Sequence, residues 1–273
     1  MKGLVIDPAL VENLLVNFLR EEVGHNGFTK ALLGVSGGVD SAVVAALAAR
    51  AFGPQNVLGV MMPYRTSDPA SEAHARLLIS ELGIASRKVD ISGMADGYLG
   101  GAKIDQPMRR GNVMARCRMI VLYDLSVEWN GLVLGTSNKT EILLGYSTQW
   151  GDSASALNPI GDLYKDQIYQ LARHLKVPAP ILDKAPSADL FPGQTDEGEL
   201  GFTYADADRL LYLMVDERMR ESELVERGFA PDFIRKLAAR IAATQFKRVP
   251  PIIAKLSHRT INQDFRYLRD WGK

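Results

Sequence analysis

Three features are scarce in this sequence, and each absence excludes a class of protein. The 273 residues contain one cysteine, Cys117, so neither a disulfide framework nor a cysteine-based zinc site can form. Lysine plus arginine and aspartate plus glutamate each number 32, and this balance gives no support for a general nucleic-acid-binding role. No apolar run reaches the roughly 18 residues that a membrane-spanning helix needs. We therefore expect a cytoplasmic protein that binds neither nucleic acid nor a membrane.

The apolar segments predict strands that alternate with helices. Short, nearly all-apolar strands are predicted at 31–35, 57–62, 87–91 and 132–134. The first helix is predicted to begin after an N-cap at Asp7, with Pro8 in its first position. Further helices are predicted at 42–52, at 67–82 with Ser67 or Asp68 as the cap, and at 112–129. Another helix is predicted to begin after a cap at Ser137. Such alternation favours an α/β fold with an open parallel sheet that is covered by helices on both faces.

The second half of the chain has a different residue pattern. Residues 185–201 are rich in glycine, proline and acidic side chains, which predicts a loop. Two or three helices are predicted within 205–243, and an irregular tail from Val249. We expect one domain over 1–273, in which these helices are additions to the sheet.

The most informative segment is the glycine-rich turn between the first strand and the next helix. It consists of Gly34, Val35, Ser36, Gly37, Gly38, Val39, Asp40 and Ser41. Glycines allow backbone N–H groups to approach a phosphate, and the helix N-terminus that follows favours an anion. Asp40 is unusual at an anion site unless a magnesium ion accompanies the phosphates. This segment predicts a site for a nucleotide with Mg²⁺.

Other interpretations of this turn are a different phosphate-binding motif, a hydrolase nucleophile and a simple helix cap. Neither GxxxxGK[ST] nor GxGxxG occurs anywhere in the sequence. Residues 34–38 satisfy the G-x-S-x-G pattern of hydrolases, with Ser36 as nucleophile and His174 and His258 downstream. That fold needs several strands before its nucleophile, and here one helix and one strand precede Ser36. The remaining alternative is that the turn only caps the following helix and binds no ligand.

The turn also resembles the SGGxDS loop of the ATP-pyrophosphatase family, and further segments resemble its NAD synthetases. The matching blocks are GNVMARCRM (111–119), LGTSNKTE (134–141), NPIGDLYK (158–165) and PSADL with QTDEGELG (186–201). They occur in the family order. The resemblance implies a Rossmann-like fold of the adenine nucleotide alpha-hydrolase type. It also implies ATP-dependent amidation of deamido-NAD to NAD through an acyl-adenylate, with release of AMP and pyrophosphate.

The resemblance assigns roles to individual residues. It implies that residues 34–41 hold ATP together with Thr136, Lys165 and Ser187, and that Asp40 and Glu141 bind Mg²⁺. Lys165 would stabilise charge on the phosphates, and Asp152 would lie near the metal or the incoming ammonia. Arg116 and Lys247 would contact the dinucleotide, within homodimers whose substrate sites lie at the subunit interface.

The sequence departs from the family pattern on the dinucleotide side. A substrate-contacting lysine is replaced by Gln149, an aspartate by Ala156, and the histidine of a His-Lys-Arg segment by Phe246. Either deamido-NAD is held differently here, or the same adenylating chemistry serves another carboxylate. A non-catalytic nucleotide-binding module is a third hypothesis, which the intact Asp40, Glu141 and Lys165 argue against.

Free ammonia is the expected nitrogen donor, unless a partner subunit supplies the ammonia. The chain has no room for a glutaminase domain, and Cys117 lies within a predicted helix, where a packed side chain is expected rather than a nucleophile. Thiolation is disfavoured because enzymes of that kind usually use cysteine pairs or a sulfur relay.

Overall fold

A computed structural model of the protein describes residues 2–187 and 195–261. Residues 188–194, which belong to the predicted loop and to one of the family-like blocks, lie outside the described residues.

Four short strands form a parallel sheet. They are β1 (Ala31–Gly34), β2 (Val57–Met61), β3 (Ala85–Lys88) and β4 (Leu132–Val133). The order across the sheet is β3-β2-β1-β4, and each neighbouring pair is parallel. The chain first moves outward from β1 to β3 and then returns to place β4 on the other side of β1. Ligands of open α/β sheets bind beyond the carboxyl ends of the strands at such a reversal.

Helices cover both faces of this sheet and extend the fold at one end. The helices of the described ranges are α1 (Pro8–His25), α2 (Val39–Phe52), α3 (Pro69–Leu82), α4 (Ser92–Gly101), α5 (Pro107–Trp129), α6 (Lys139–Leu144), α7 (Lys165–His174), α8 (Ala179–Leu182), α9 (Asp196–Leu200), α10 (Tyr204–Leu211), α11 (Glu221–Glu226) and α12 (Pro231–Ala243). Short 3₁₀ turns occupy Lys2–Leu4, Pro54–Asn56 and Gln245–Arg248, and a π-turn occupies Tyr212–Asp216. None of the helices in the described ranges is both long and apolar enough to cross a membrane.

The core is divided by the sheet because successive strand side chains point to opposite faces. Leu33 packs with α1, α2 and α7 on one face, and Leu32 packs with α4 and α5 on the other. A third cluster joins α6 to α10, α11 and α12. The predicted α/β class, with a parallel sheet and C-terminal helical additions, is confirmed.

Some predicted boundaries were wrong. The third strand lies at Ala85–Lys88 rather than 87–91, because it is an edge strand with mostly exposed side chains and no apolar run. The long helix begins at Pro107, five residues before the predicted start, since proline suits a first helical position. The cap of α6 is Asn138, not Ser137.

Several helices were missed by the sequence analysis, among them α4, α8 and α9. Helix α4 contains four glycines, which weaken any helix prediction. Helix α9 lies inside the segment predicted as a loop and is capped by the Thr195 side chain. In contrast, Asp7 and Asp68 cap α1 and α3 as predicted. The described part of the tail after 248 contains no helix and only an isolated bridge residue.

Candidate active site

The glycine-rich turn lies between β1 and α2, at the point where the strand order reverses. Gly37 has a φ of +78°, and a Cβ there would stand 2.2 Å from the carbonyl oxygen of Ser71 in α3. Only glycine fits such a conformation and such an approach. The Ser36 and Ser41 hydroxyl oxygens lie 3.2 Å apart, and the Ser41 hydroxyl donates to the carbonyl of Gly38 at 3.0 Å. The turn is therefore closely held at the N-terminus of α2.

Two carboxylates and one lysine converge beside this turn. The Lys165 Nζ atom lies 2.5 Å from Asp40 Oδ2 and 3.4 Å from Glu141 Oε1. The Lys165 side chain is 3% exposed, whereas those of Asp40 and Glu141 are 17% and 16% exposed. Each of the three residues lies in the first turn of its own helix. The structure thus brings together the three side chains that the sequence analysis named for metal and phosphate.

Asn138 connects the two carboxylates. It is fully buried and caps α6, where its side chain accepts a hydrogen bond from the backbone N–H of Glu141 at 3.0 Å. Its own N–H donates to Glu141 Oε2 at 3.3 Å, and its Nδ2 donates to Asp40 Oδ1 at 2.9 Å. The sequence analysis missed this residue, although the Asn-x-x-Glu spacing of a capping box was available as a signal.

The electrostatics of the cluster follow from its burial. Burial raises the pKa of Glu141 to about 8; Lys165 opposes this rise, and the nearby Asp40 carboxylate adds to it. Burial disfavours the charged form of Lys165, but Asp40 and Glu141 outweigh it and raise the pKa of that ammonium. The lysine is therefore held as a cation between carboxylates.

The two carboxylates fit a magnesium ion. Asp40 and Glu141 each direct an oxygen at the same Lys165 ammonium, so both can reach one small cation from adjacent helices. Within the described ranges no group of three or more His, Cys, Asp or Glu side chains has a geometry that holds a metal. Mg²⁺ commonly takes one or two carboxylates and completes its shell with phosphates and water. Asp40 and Glu141 would hold it here.

The cluster and the turn line a cavity of about 980 Å³. Thr136 and Ser187, both predicted to contact ATP, also line it. The remaining predicted ATP residues on its surface are Gly34, Val35, Ser36, Gly38, Val39, Asp40, Ser41 and Lys165. The residues predicted to hold ATP therefore line the same cavity, except for Gly37, which lies against the Ser71 carbonyl.

Of the residues predicted for the dinucleotide, Lys247 lines this cavity, whereas Arg116, Gln149 and Phe246 do not. Arg116 donates to the carbonyl of Gln149 at 3.2 Å, and the Gln149 amide lies 3.5 Å from the carbonyl of Phe246. The Lys247 ammonium donates to the carbonyls of Gly145 and Ser147, and this residue lines the cavity. Arg116 instead lines a second groove between α4 and α5.

Ala156 and Cys117 take no part in these contacts. The backbone N–H of Ala156 bonds to the carbonyl of Val133, which extends the pairing beyond β4. Cys117 is buried within α5, and burial raises the pKa of its thiol. The expectation of a packed cysteine is confirmed.

Asp152 lines the wall of the cavity. Its Oδ1 accepts a hydrogen bond from the Thr148 backbone N–H at 2.7 Å. Burial in the surrounding recess raises the pKa of this carboxyl, although backbone hydrogen bonds and the Lys247 charge act in the opposite direction. A carboxyl with a raised pKa that faces a cavity is suited to accept a proton.

The sequence analysis also missed a group of residues behind Lys165. The Lys165 ammonium lies 5.0 Å from the ring centroid of Tyr204. The Tyr204 and Tyr146 hydroxyls each donate to the buried Asp196 at 3.1 Å. These residues lie far from the glycine-rich turn in sequence, so spacing alone gave no signal for them.

A parallel sheet with a phosphate-binding turn, a carboxylate pair and a lysine at its carboxyl edge defines a nucleotide-binding enzyme of the ATP-pyrophosphatase class. The sequence model described as NAD synthase matches residues 11–251. The chain belongs to the NAD synthase family.

Similarity to individual members of the family supports this assignment. The chain is 55% identical to the NH(3)-dependent NAD(+) synthetase of Trichlorobacter lovleyi over all of both chains. Among solved structures, NH3-dependent NAD synthetase from Campylobacter jejuni is 33% identical with a TM-score of 0.79, covering 92% of this chain and 100% of that one. NMN synthetase from Francisella tularensis is 31% identical with a TM-score of 0.82, covering 92% and 99%.

Proposed function

We propose that this protein is an ATP- and Mg²⁺-dependent ligase that amidates deamido-NAD to NAD with ammonia. The observation that carries the proposal is the buried Lys165, held between Asp40 and Glu141 beside the Gly37 turn. The relative from Trichlorobacter lovleyi, named for the same activity, is similar over its full length.

The chemistry follows from these residues. The turn at 36–41 would hold the phosphates through its N–H groups and hydroxyls. Asp40 and Glu141 would hold Mg²⁺, which would neutralise part of the charge of the polyphosphate. The substrate carboxylate oxygen bonds to the α-phosphorus of ATP, and pyrophosphate leaves. Lys165 would offset the charge that develops there.

The second step forms the amide. Ammonia attacks the acyl carbon, and AMP leaves with the former carboxylate oxygen. An ammonium ion must lose a proton before it can attack, and Asp152 would accept that proton because its pKa is raised. No protein nucleophile is required.

A second candidate substrate is the mononucleotide of nicotinic acid. The structure from Francisella tularensis bears the name NMN synthetase and is about as similar as the NAD synthetase from Campylobacter jejuni. We propose that Arg116, Gln149, Phe246 and Lys247 form the substrate side, where the additional adenosine phosphate of deamido-NAD would be recognised. The identity of 55% to a full-length NAD synthetase favours the dinucleotide.

Pyrophosphate release measured together with amide product tests the proposal. Purified protein is given ATP, Mg²⁺ and ammonium with deamido-NAD, with nicotinic acid mononucleotide, or with neither. We expect release that depends on deamido-NAD, with an equal amount of NAD. Preference for the mononucleotide would change the proposed substrate but not the proposed chemistry. Absence of pyrophosphate release with either substrate would contradict the proposal.

We also propose a cytoplasmic homodimer in which residues 1–273 form a single catalytic domain. The large exposed apolar side chains of α4 and α5 support a subunit contact on that face; they are Met94, Tyr98, Ile120, Tyr123 and Val127. Arg116 lines the groove between these helices, so a partner there would complete the substrate side.

A further inference from the structure

We propose that Lys184 is a second phosphate-binding cation of this site and contacts the pyrophosphate portion of ATP. The inference rests on the proposed function only in assuming that ATP is the nucleotide. No motif in the sequence analysis included this residue.

Lys184 lies directly behind the phosphate-binding turn. Its ammonium donates to the Ser71 hydroxyl at 2.6 Å, and Ser71 is the α3 residue whose carbonyl stands against Gly37. Ser71 is 6% exposed, so this connection is inside the fold. Lys184 is half-buried and lines the same cavity as Ser36, Asp40 and Lys165. Its charge is therefore presented to the space in which the phosphates would lie.

Lys165 and Lys184, which flank the glycine-rich turn, differ in their counter-charges. Lys165 is matched by two carboxylates within 3.4 Å. In the part of the chain that the structure describes, no carboxylate forms an ion pair with Lys184. A half-buried ammonium without a carboxylate partner is expected to gain most from a bound anion. Lys184 thus presents beside the turn a positive charge that no carboxylate of the described residues pairs with.

The position of each lysine suggests which phosphate it serves. Lys165 contacts Asp40 in the first turn of α2, where the metal and the reacting α-phosphate are expected. Lys184 lies on the side of the turn at Gly37, which precedes the helix. The turn itself would hold the leaving pyrophosphate through its serine hydroxyls and backbone N–H groups, which carry no net charge. Lys184 would add a positive charge to this part of the site.

Calorimetric titration with three ligands tests this assignment without requiring turnover. The ligands are Mg-ATP, Mg-pyrophosphate and AMP, of which only AMP lacks the pyrophosphate portion. The variants are Lys184→Gln and Lys184→Met, which remove the charge, and Lys184→Arg, which keeps it. The control is Lys176→Gln, at an exposed lysine outside the cavity lining. Thermal unfolding identifies the variants that remain folded.

We expect the neutral variants to bind Mg-ATP and Mg-pyrophosphate at least about tenfold more weakly, because a charge-assisted contact is lost. AMP affinity should stay within about twofold, Lys184→Arg should retain most of the affinity, and Lys176→Gln should match the unchanged protein. Equal weakening for all three ligands would make Lys184 a support for the fold, and unchanged affinity would refute its contact. If these expectations hold but no NAD forms, only the proposed function fails.

Discussion

At the scale of single residues, Asn138 joins the cap of α6 to Asp40 of α2, the proposed metal ligand. Replacing it by serine keeps an oxygen that can cap α6 and removes the Nδ2 donor to Asp40. A lost hydrogen bond to a charged group costs about 1.5–3 kcal/mol. We expect Asn138→Ser to raise the Mg²⁺ concentration for half-maximal activity by about tenfold or more.

Metal binding gives a readout for this prediction that is independent of turnover. Electron paramagnetic resonance can count bound Mn²⁺ in the presence of ATP, and Asn138→Ser should bind it more weakly. The matched control is Asn158→Ser, because Asn158 donates to the Ser137 carbonyl nearby and does not contact either carboxylate. An unchanged Mn²⁺ affinity in Asn138→Ser would show that this asparagine acts only as a cap.

Asp152 gives a second prediction at this scale. Its raised pKa means that the proton-accepting form is lost at a higher pH than for an ordinary aspartate. We expect turnover to show an acid limb above the usual carboxyl range, and Asp152→Asn to remove this limb and lower turnover by about 100-fold. ATP affinity should not change. Turnover is measured across pH at fixed free ammonia.

A comparison variant separates this role from a general charge effect. Asp162→Asn removes a carboxylate whose side chain is 95% exposed and which pairs with Lys139. It should leave the acid limb in place. If Asp152→Asn has normal turnover at all ammonium levels, Asp152 does not accept the proton.

These residues show what the sequence could and could not predict about the site. Asp40, Glu141 and Lys165 were found because each belongs to a segment with a recognisable order of residues. Asn138 and Lys184 act through contacts with side chains 98 and 113 positions away, Asp40 and Ser71 respectively. Such contacts depend on how α6 and α8 pack against other helices, and the spacing of residues in the sequence does not specify that packing.

At the scale of elements, α10 holds the first turns of α6 and α7 in place. The fully buried Asp208 accepts from the Thr140 hydroxyl and from the Asp166 backbone N–H at 2.8 Å. Thr140 in turn accepts from the Lys165 backbone N–H at 3.1 Å. The C-terminal helices therefore fix the position of Lys165, although they lie outside the sheet.

Asp208 predicts a pH dependence of stability. Burial raises its pKa to about 6, whereas an unfolded aspartate titrates near 3.8. A raised carboxyl pKa means that the folded state retains its proton longer, so the contribution of Asp208 to stability declines as pH rises through this range. We expect the free-energy difference between the unchanged protein and Asp208→Asn to shrink by about 1 kcal/mol from pH 5 to pH 7.5.

Urea unfolding of both proteins at the two pH values measures this difference. Other titrating groups cancel because they are common to both proteins. A difference that is constant with pH, or that grows, would contradict the assignment of the raised pKa to Asp208.

The elements also show why some boundaries could be predicted and others could not. β1, β2 and α2 are apolar and were found within one to three residues. β3 is specified by its register, in which Leu58 pairs with Ala85, and not by its own exposed side chains. The position of β3 depends on its pairing with β2, and the local pattern of apolar residues does not predict such pairing.

At the scale of the whole molecule, the proposed dimer can be tested at its apolar face. Ile120 of α5 is 51% exposed, and a glutamate there would place a charge within the contact. We expect Ile120→Glu to halve the mass measured by light scattering. Leu14→Glu is the matched control, because Leu14 is 59% exposed on α1. A monomeric unchanged protein, or a dimer that survives Ile120→Glu, would refute this interface.

Transfer of labelled oxygen tests the central claim most directly. Deamido-NAD labelled with ¹⁸O in its nicotinate carboxyl is incubated with ATP, Mg²⁺, ammonium and the protein, and the products are analysed by mass spectrometry. Attack of the carboxylate on the α-phosphate predicts one labelled oxygen in AMP for each NAD formed, and none in pyrophosphate. NAD formed with unlabelled AMP would contradict adenylation of the substrate, and the absence of NAD would contradict the proposed reaction.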